Sequence, residues 1–251
     1  PFTTGRSDMA VAYTPSAPEQ VLLGLHDVRL SRDFGKEWIR ISDFSRDFGV
    51  AQWESLSALA VAPSNPRVIY AAYGEPAWSN EARRRIFRTS DGGDRWEDIT
   101  EGLMGVRWAG ITEISVHPSD PNELWVSVNG FWGDDDGTVF KVFRSRDGGR
   151  NWENVSDGLP NLPVNCLLVL PLQRRLLAGT DAGVWSSPLK GGRWEEWNLG
   201  MPRAIVSDLE LDEGRETVFA STFGRGLYTL HLASDGGQHP REKRRRFLGL
   251  F

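Results

Sequence analysis

The sequence predicts an all-β protein, a β-propeller of about five four-stranded antiparallel blades. Three observations carry that expectation. A Ser/Thr-x-Asp-x-Gly-x-x-Trp element recurs along the chain. A second element, two apolar strands joined by a Pro-rich turn, recurs between its copies in constant order. Long apolar segments of helical period are missing, while 27 glycines and 14 prolines punctuate the 251 residues. Repeats of about 40–50 residues, each reading as four short strands, are the signature of propeller blades.

The first element reads Ser31-Asp33-Gly35-Trp38, Thr89-Asp91-Gly93-Trp96 and Ser145-Asp147-Gly149-Trp152. A fourth copy keeps Ser187, Gly191 and Trp194 but has Leu189 in place of the aspartate. The three aspartates are 58 and 56 residues apart, and Leu189 follows 42 later. An aspartate in a tight hairpin accepts hydrogen bonds from the N–H groups of its own turn. The glycine two residues on tolerates positive φ, and the tryptophan returns along the next strand to bury a large apolar surface. We therefore read the motif as a fold staple. The second element begins at Tyr13 (YTPSAPEQVLLGL), Val61 (VAPSNPRVIYAAY), Val116 (VHPSDPNELWVSV), Val169 (VLPLQRRLLAG) and, without proline, Leu211 (LDEGRETVFAST).

Unit two shows the four strands most clearly: Ser57–Ala62, Val68–Tyr73, Arg85–Ser90 and Trp96–Thr100. Apolar and polar residues alternate, as in Val139–Ser145, which is the strand period. The blades are predicted at about 9–42, 55–100, 111–156, 164–198 and 204–232. The fifth has three strands and no aspartate turn. Residues 1–5 are one source of its outer strand, closing a ring of five; alternatively the chain is part of a larger propeller. Residues 233–251 break the repeat and form a basic tail with net charge +3 against −8 for the rest. Such a tail is disordered, folds back on the acidic body, or contacts an acidic surface.

The turns SRDFGKEW, TSDGGDRW and SRDGGRNW resemble the Asp-box, or BNR, repeat. Families with such repeats include sialidases, xyloglucanase-type glycoside hydrolases, sortilin-like receptors and photosystem II assembly-factor propellers. Gly158–Ser187 together with Phe219–Leu232 is most similar to secreted glycosyl-hydrolase-like BNR proteins. The resemblance covers roughly residues 1–232 and implies a location outside the cytoplasm, as a secreted or periplasmic protein. It specifies fold rather than function, because one blade type serves enzymes, receptors and assembly factors. A sialidase of this type has an arginine in a Phe/Tyr-Arg-Ile-Pro context before its first repeat and a tyrosine nucleophile. The first is absent here, and Tyr13, Tyr70, Tyr73 and Tyr228 all fall in predicted strands. Xyloglucanase-type enzymes use two propellers with one acid from each, and this chain has length for one.

Antiparallel connectivity sorts the loops. The Pro-rich and aspartate turns share one face, and the longer variable loops share the other. Variable loops on a rigid scaffold are where function usually lies. That face is predicted to carry His26 and Asp27, the interblade loop Asp43–Ser55 with Phe44, Phe48, Trp53 and Glu54, and the segment Gly74–Arg85 with Glu75, Trp78 and Glu81. It also takes Arg107 and Trp108, GFWGDDDG at Gly130–Gly137 with Phe131, Trp132 and Asp134–Asp136, and Arg225. Aromatic rings beside acids and arginines suit either a carbohydrate or a protein ligand. Candidate acids for glycoside hydrolysis are Glu54, Glu75, Glu81, Asp134, Asp135 and Asp136.

Two function classes follow: a non-catalytic binding or assembly scaffold, and a glycoside hydrolase or sialidase-like enzyme. A net charge of −5 argues against nucleic acid as a partner. No run approaches the ~18–20 apolar residues of a membrane span. The acids of Asp134–Asp136 are consecutive rather than alternating, unlike a calcium loop, so no metal is expected. No cofactor is expected either: G-x-x-x-x-G-K-[ST], G-x-S-x-G and H-E-x-x-H are all absent. The single cysteine, Cys166, excludes an intramolecular disulfide framework and is read as core.

Overall fold

The computed structural model describes residues 10–74, 84–103, 110–130, 138–198, 200–212, 214 and 216–232, and the backbone of 248–250. Five four-stranded antiparallel sheets follow one another around a ring, a five-bladed β-propeller. Blade one is β1 (Ala10–Thr14), β2 (Ala17–Gly24), β3 (Val28–Ser31) and β4 (Ile39–Arg40). Blade two is β5 (Leu56–Ala62), β6 (Asn65–Tyr73), β7 (Arg85–Thr89) and β8 (Glu97–Asp98). Blade three is β9 (Ile111–Val116), β10 (Leu124–Val128), β11 (Val142–Ser145) and β12 (Glu153–Asn154). Blade four is β13 (Val164–Leu170), β14 (Arg175–Thr180), β15 (Gly183–Pro188) and β16 (Glu195–Glu196). Blade five is β17 (Val206–Asp212), β18 (Thr217–Thr222), β19 (Gly226–His231) and β20 (Leu248–Leu250).

Alternation along each strand sends side chains to two different interblade layers. In β5, Leu59 and Val61 pack toward blade one, while Ala58, Ala60 and Ala62 pack toward blade three. Four hydrophobic clusters result, at the junctions of blades one and two, two and three, three and four, and four and five. Each aliphatic side chain taken fully out of water there contributes about 1.5–3 kcal/mol. Cys166 belongs to the layer between blades four and five. Among the described residues no such cluster joins blades five and one.

Three elements differ from the sequence expectation. β11 begins at Val142, not Val139, because the N–H groups of Lys141 and Val142 both donate to the Ser156 hydroxyl, at 2.8 and 2.9 Å. The stretch expected as an interblade loop holds a short helix, α1 (Phe44–Phe48), with Asp43 as its N-cap and Gly49 at φ +68 as its C-cap. The outer strand of blade five is β20, pairing Leu227 with Leu250 and Thr229 with Leu248. It takes the place that the sequence reading gives to residues 1–5, which lie outside the described ones.

Candidate functional site

The turn face is closed off by its own hydrogen bonds. In blade one the Ser31 hydroxyl donates to Asp33 Oδ1 (2.7 Å) and accepts from Gly35 N–H (2.8 Å), while Asp33 Oδ1 accepts from the N–H groups of Lys36 and Glu37 (3.0 Å each). The Glu37 N–H foremost holds the Asp33 carboxyl below its ordinary range. Thr89, Asp91 and Gly93 repeat the pattern, as do Ser145, Asp147 and Gly149. Trp96, Trp152 and Trp194 each donate Nε1–H to a carbonyl of the preceding blade: Ile41 (2.7 Å), Ile99 (3.0 Å) and Val155 (2.6 Å). Trp38 bonds to Gly35 in its own turn instead (3.0 Å). In blade four Ser187 donates to the Gly192 carbonyl, a rewiring that fits the loss of the aspartate at Leu189.

The opposite face is built around α1. Asp27 is buried. Its Oδ1 accepts from Ser42 Oγ and from the Phe44 N–H, both at 2.9 Å, and its Oδ2 lies 3.5 Å from Arg40 Nη1. His26 is bonded on both ring nitrogens, Nδ1 to the Glu54 carbonyl (2.9 Å) and Nε2 to Ser45 Oγ (2.8 Å). The Tyr73 hydroxyl, whose pKa is raised by burial, donates to the His26 carbonyl. His26 and Asp27 thus tie the interblade loop to blade one. Sequence reasoning put them on this face without that role, because their side-chain partners lie 13–28 residues away.

Phe44 is fully buried rather than at the rim. Its ring stacks on Phe87 at 4.5 Å and meets Trp96 edge-on at 5.1 Å. Arg85 lies over Phe87 (5.1 Å), donates to the Phe48 carbonyl (2.6 Å) and pairs with Asp98 (2.5 Å). On this rigid corner Trp53 stands 71% exposed. Around the rim, the β18–β19 hairpin exposes Phe223 and Arg225.

Of the candidate acids only Glu54 is described, and its Oε1 accepts from the Ala51 N–H of its own turn (3.3 Å). Glu75, Trp78, Glu81, Arg107, Trp108, Phe131, Trp132 and Asp134–Asp136 lie outside the described residues. The one described carboxyl held above its ordinary range is Glu210, through desolvation first and Asp208 second, and it sits in β17 rather than in a loop. Lys141, which sequence reasoning missed, is fully buried with Nζ donating to the Gly130 carbonyl. Burial pushes its pKa down to about 8. Its signal was a lysine inside the alternating run Val-Phe-Lys-Val-Phe. Two small cavities among the described residues have volumes of about 10 Å³ each, room for a water at most. Among the described residues no group of three His, Cys, Asp or Glu side chains gathers to hold a metal. No described helix is long and apolar enough to cross a membrane.

No family model matches the sequence, and no curated protein does. Solved structures do match. The GH74 enzyme of Niastella koreensis is 15% identical over 88% of this chain and 36% of its own, with a TM-score of 0.64. The GH74 xyloglucanase of Xanthomonas campestris is 17% identical over 96% and 38%, with a TM-score of 0.65. YCF48 bound to a D1 peptide is 14% identical over 88% and 63%, with a TM-score of 0.57. The chain thus spans little more than a third of these GH74 chains, and at these identities the likeness shows the propeller fold alone, shared with GH74 enzymes and with YCF48.

Proposed function

We propose that the protein is a non-catalytic binding or assembly scaffold that takes a protein ligand on its variable-loop face, outside the cytoplasm. One observation carries the reading: Asp27, His26, Asp43 and Arg85 are engaged in bonds that hold the α1 corner together, while the large aromatic Trp53 stands exposed on that corner. A hydrolase needs two carboxyls facing across a cleft, one with a raised pKa. Here Asp43 and Glu54 accept hydrogen bonds from backbone groups of their own segment, and Asp27 accepts from the Ser42 hydroxyl and the Phe44 N–H of the interblade loop. Exposed tryptophan and arginine on a rigid frame are common protein-binding anchors. YCF48, a structural neighbour, is solved with a D1 peptide, which supports a peptide ligand. The Asp-box character of the repeat agrees with this reading.

The second reading, a glycoside hydrolase acting on a polysaccharide, is favoured by the GH74 neighbours. One experiment separates them. The chain is screened on a peptide array and on a panel of polysaccharides and aryl glycosides, beside Trp53→Ala. Peptide binding weakened at least tenfold by Trp53→Ala, without glycan turnover, supports the scaffold. Turnover that Glu81→Gln or Asp135→Asn abolishes would establish the enzyme.

A further inference from the structure

The seam between blades five and one differs from every other junction. At the other junctions the inner-strand residues facing the preceding blade are covered: Leu59 and Val61 of blade two are each 6% exposed, as are Leu167 and Val169 of blade four. Val11 and Tyr13 hold the same positions in blade one, one residue either side of the core-facing Ala12, yet are 55% and 68% exposed. Val21 and Leu23, paired with Tyr13 and Val11 across β2, extend this face. Among the described residues the outer end of the seam is unfilled too. Gly93 and Gly149 press against Ile41 and Ile99 of the preceding blade, whereas a Cβ at Gly35 would meet only Trp38. Trp38 Nε1 donates to Gly35 of its own hairpin, where Trp96, Trp152 and Trp194 reach a carbonyl of the preceding blade.

The register identifies what fills the vacancy. The residues that receive a neighbour's tryptophan, Ile41, Ile99 and Val155, each follow a two-residue outer strand. Each donates its N–H to the third strand, at Val28, Ile86 and Val142. Blade four has Trp197 at this place, opposite Val184. In blade five, Gly226-Leu227-Tyr228 aligns with Gly183-Val184-Trp185, and Leu227 pairs with Leu250. Leu250 therefore occupies in blade five the station that Ile41, Ile99 and Val155 occupy in theirs. We infer that β20 is a latch: docked on blade one, it gives the Leu250 carbonyl to Trp38 Nε1 and lays its strand over Gly35. Blade five thereby covers Val11 and Tyr13, a joint that no cluster of described residues seals in the structure.

The occupant is this chain's own blade five, because an apolar layer already seals four junctions and the tryptophan–carbonyl contact three of them. The joint is weaker than those four. The face that blade five turns to the seam carries Asp208, Glu210 and Asp212 on alternate positions of β17, where β5 carries alanines, and on closing they meet Val11 and Tyr13. The latch is thus reversible, and it stands independently of any ligand on the loop face.

Maleimide labelling of Tyr13→Cys reads the latch, with buried Cys166 as the internal slow reference. The full chain is expected to label at least tenfold more slowly than the chain ending at residue 247. Trp38→Phe, which keeps the ring and removes only the donor, is expected to accelerate labelling about fivefold with an unchanged circular dichroism spectrum. Equal rates in the full and shortened chains overturn the proposal. So does a Trp38→Phe rate equal to the parent's, and so does protection lost on dilution, which would place the strand in a second copy.

Discussion

At the residue scale the aspartate turn shows how tightly a short motif is determined by packing. Gly92 and Gly149 both sit at positive φ, +81° and +93°, so an alanine strains the backbone at either by about 1 kcal/mol. Their surroundings differ. A Cβ at Gly92 meets nothing nearer than Arg67 Cγ at 3.9 Å, whereas one at Gly149 falls 2.9 Å from Ile99 Cβ, inside blade two's layer. Gly149→Ala should therefore cost about 3 kcal/mol against about 1 for Gly92→Ala, a difference of roughly 4–8 °C in melting temperature for a chain this size. Equal melting temperatures would show that the blade relaxes around the added carbon. The motif was legible because its partners lie within a few residues of one another. Phe34 was the exception: it takes at φ 59 the place that Gly92 and Gly148 hold in the other turns, and no sequence rule requires a phenylalanine there.

At the scale of elements, strands bounded by turn residues were legible and those ended by distant partners were not. The alternation of Val139–Ser145 promised a seven-residue strand, and the Ser156 hydroxyl, eleven residues beyond, removes its first half from the ladder. Helix α1 has five residues, too few to display a helical period, and β20 follows its blade after sixteen intervening residues. The same part of the chain carries a pH dependence. Lys141 is held at a pKa of about 8 by burial, below its ordinary 10.5. The unfolded chain binds this proton more tightly than the folded one. Stability should therefore rise with pH from about 8 to 10.5. Below that window the charged amine is a liability that a methionine of similar length lacks. Lys141→Met is expected to melt about 2–4 °C higher at pH 7, with the gap narrowing by pH 10.5. A methionine variant that melts lower at pH 7 would mean that the Gly130 carbonyl needs its donor more than the fold resents the charge.

At the scale of the whole molecule, stability is distributed as in a repeat protein, where each unit draws most of its support from its neighbours. Blades two, three and four are sandwiched between two apolar layers, and blades one and five each have one. The candidate loop face inherits this gradient: α1 and Trp53 stand at the sealed junction of blades one and two, whereas Phe223 and Arg225 stand on blade five. A ligand gripping the α1 corner meets a rigid surface, and one reaching the β18–β19 hairpin meets an element whose position depends on the seam. Native-state hydrogen exchange measures the gradient directly, because local opening free energies follow local packing. Amides bonded between β5 and β6, β9 and β10, and β13 and β14 should exchange slowest. Those between β1 and β2 and between β17 and β18 should exchange on the order of 10–100-fold faster, because on one side they depend on a joint that opens with the latch, at about 1.4 kcal/mol per factor of ten. Uniform protection across all five blades would mean that the seam is as well packed as the other junctions. The acids of β17 would then cost the latch nothing, and the loop face would be one rigid platform from Trp53 to Phe223.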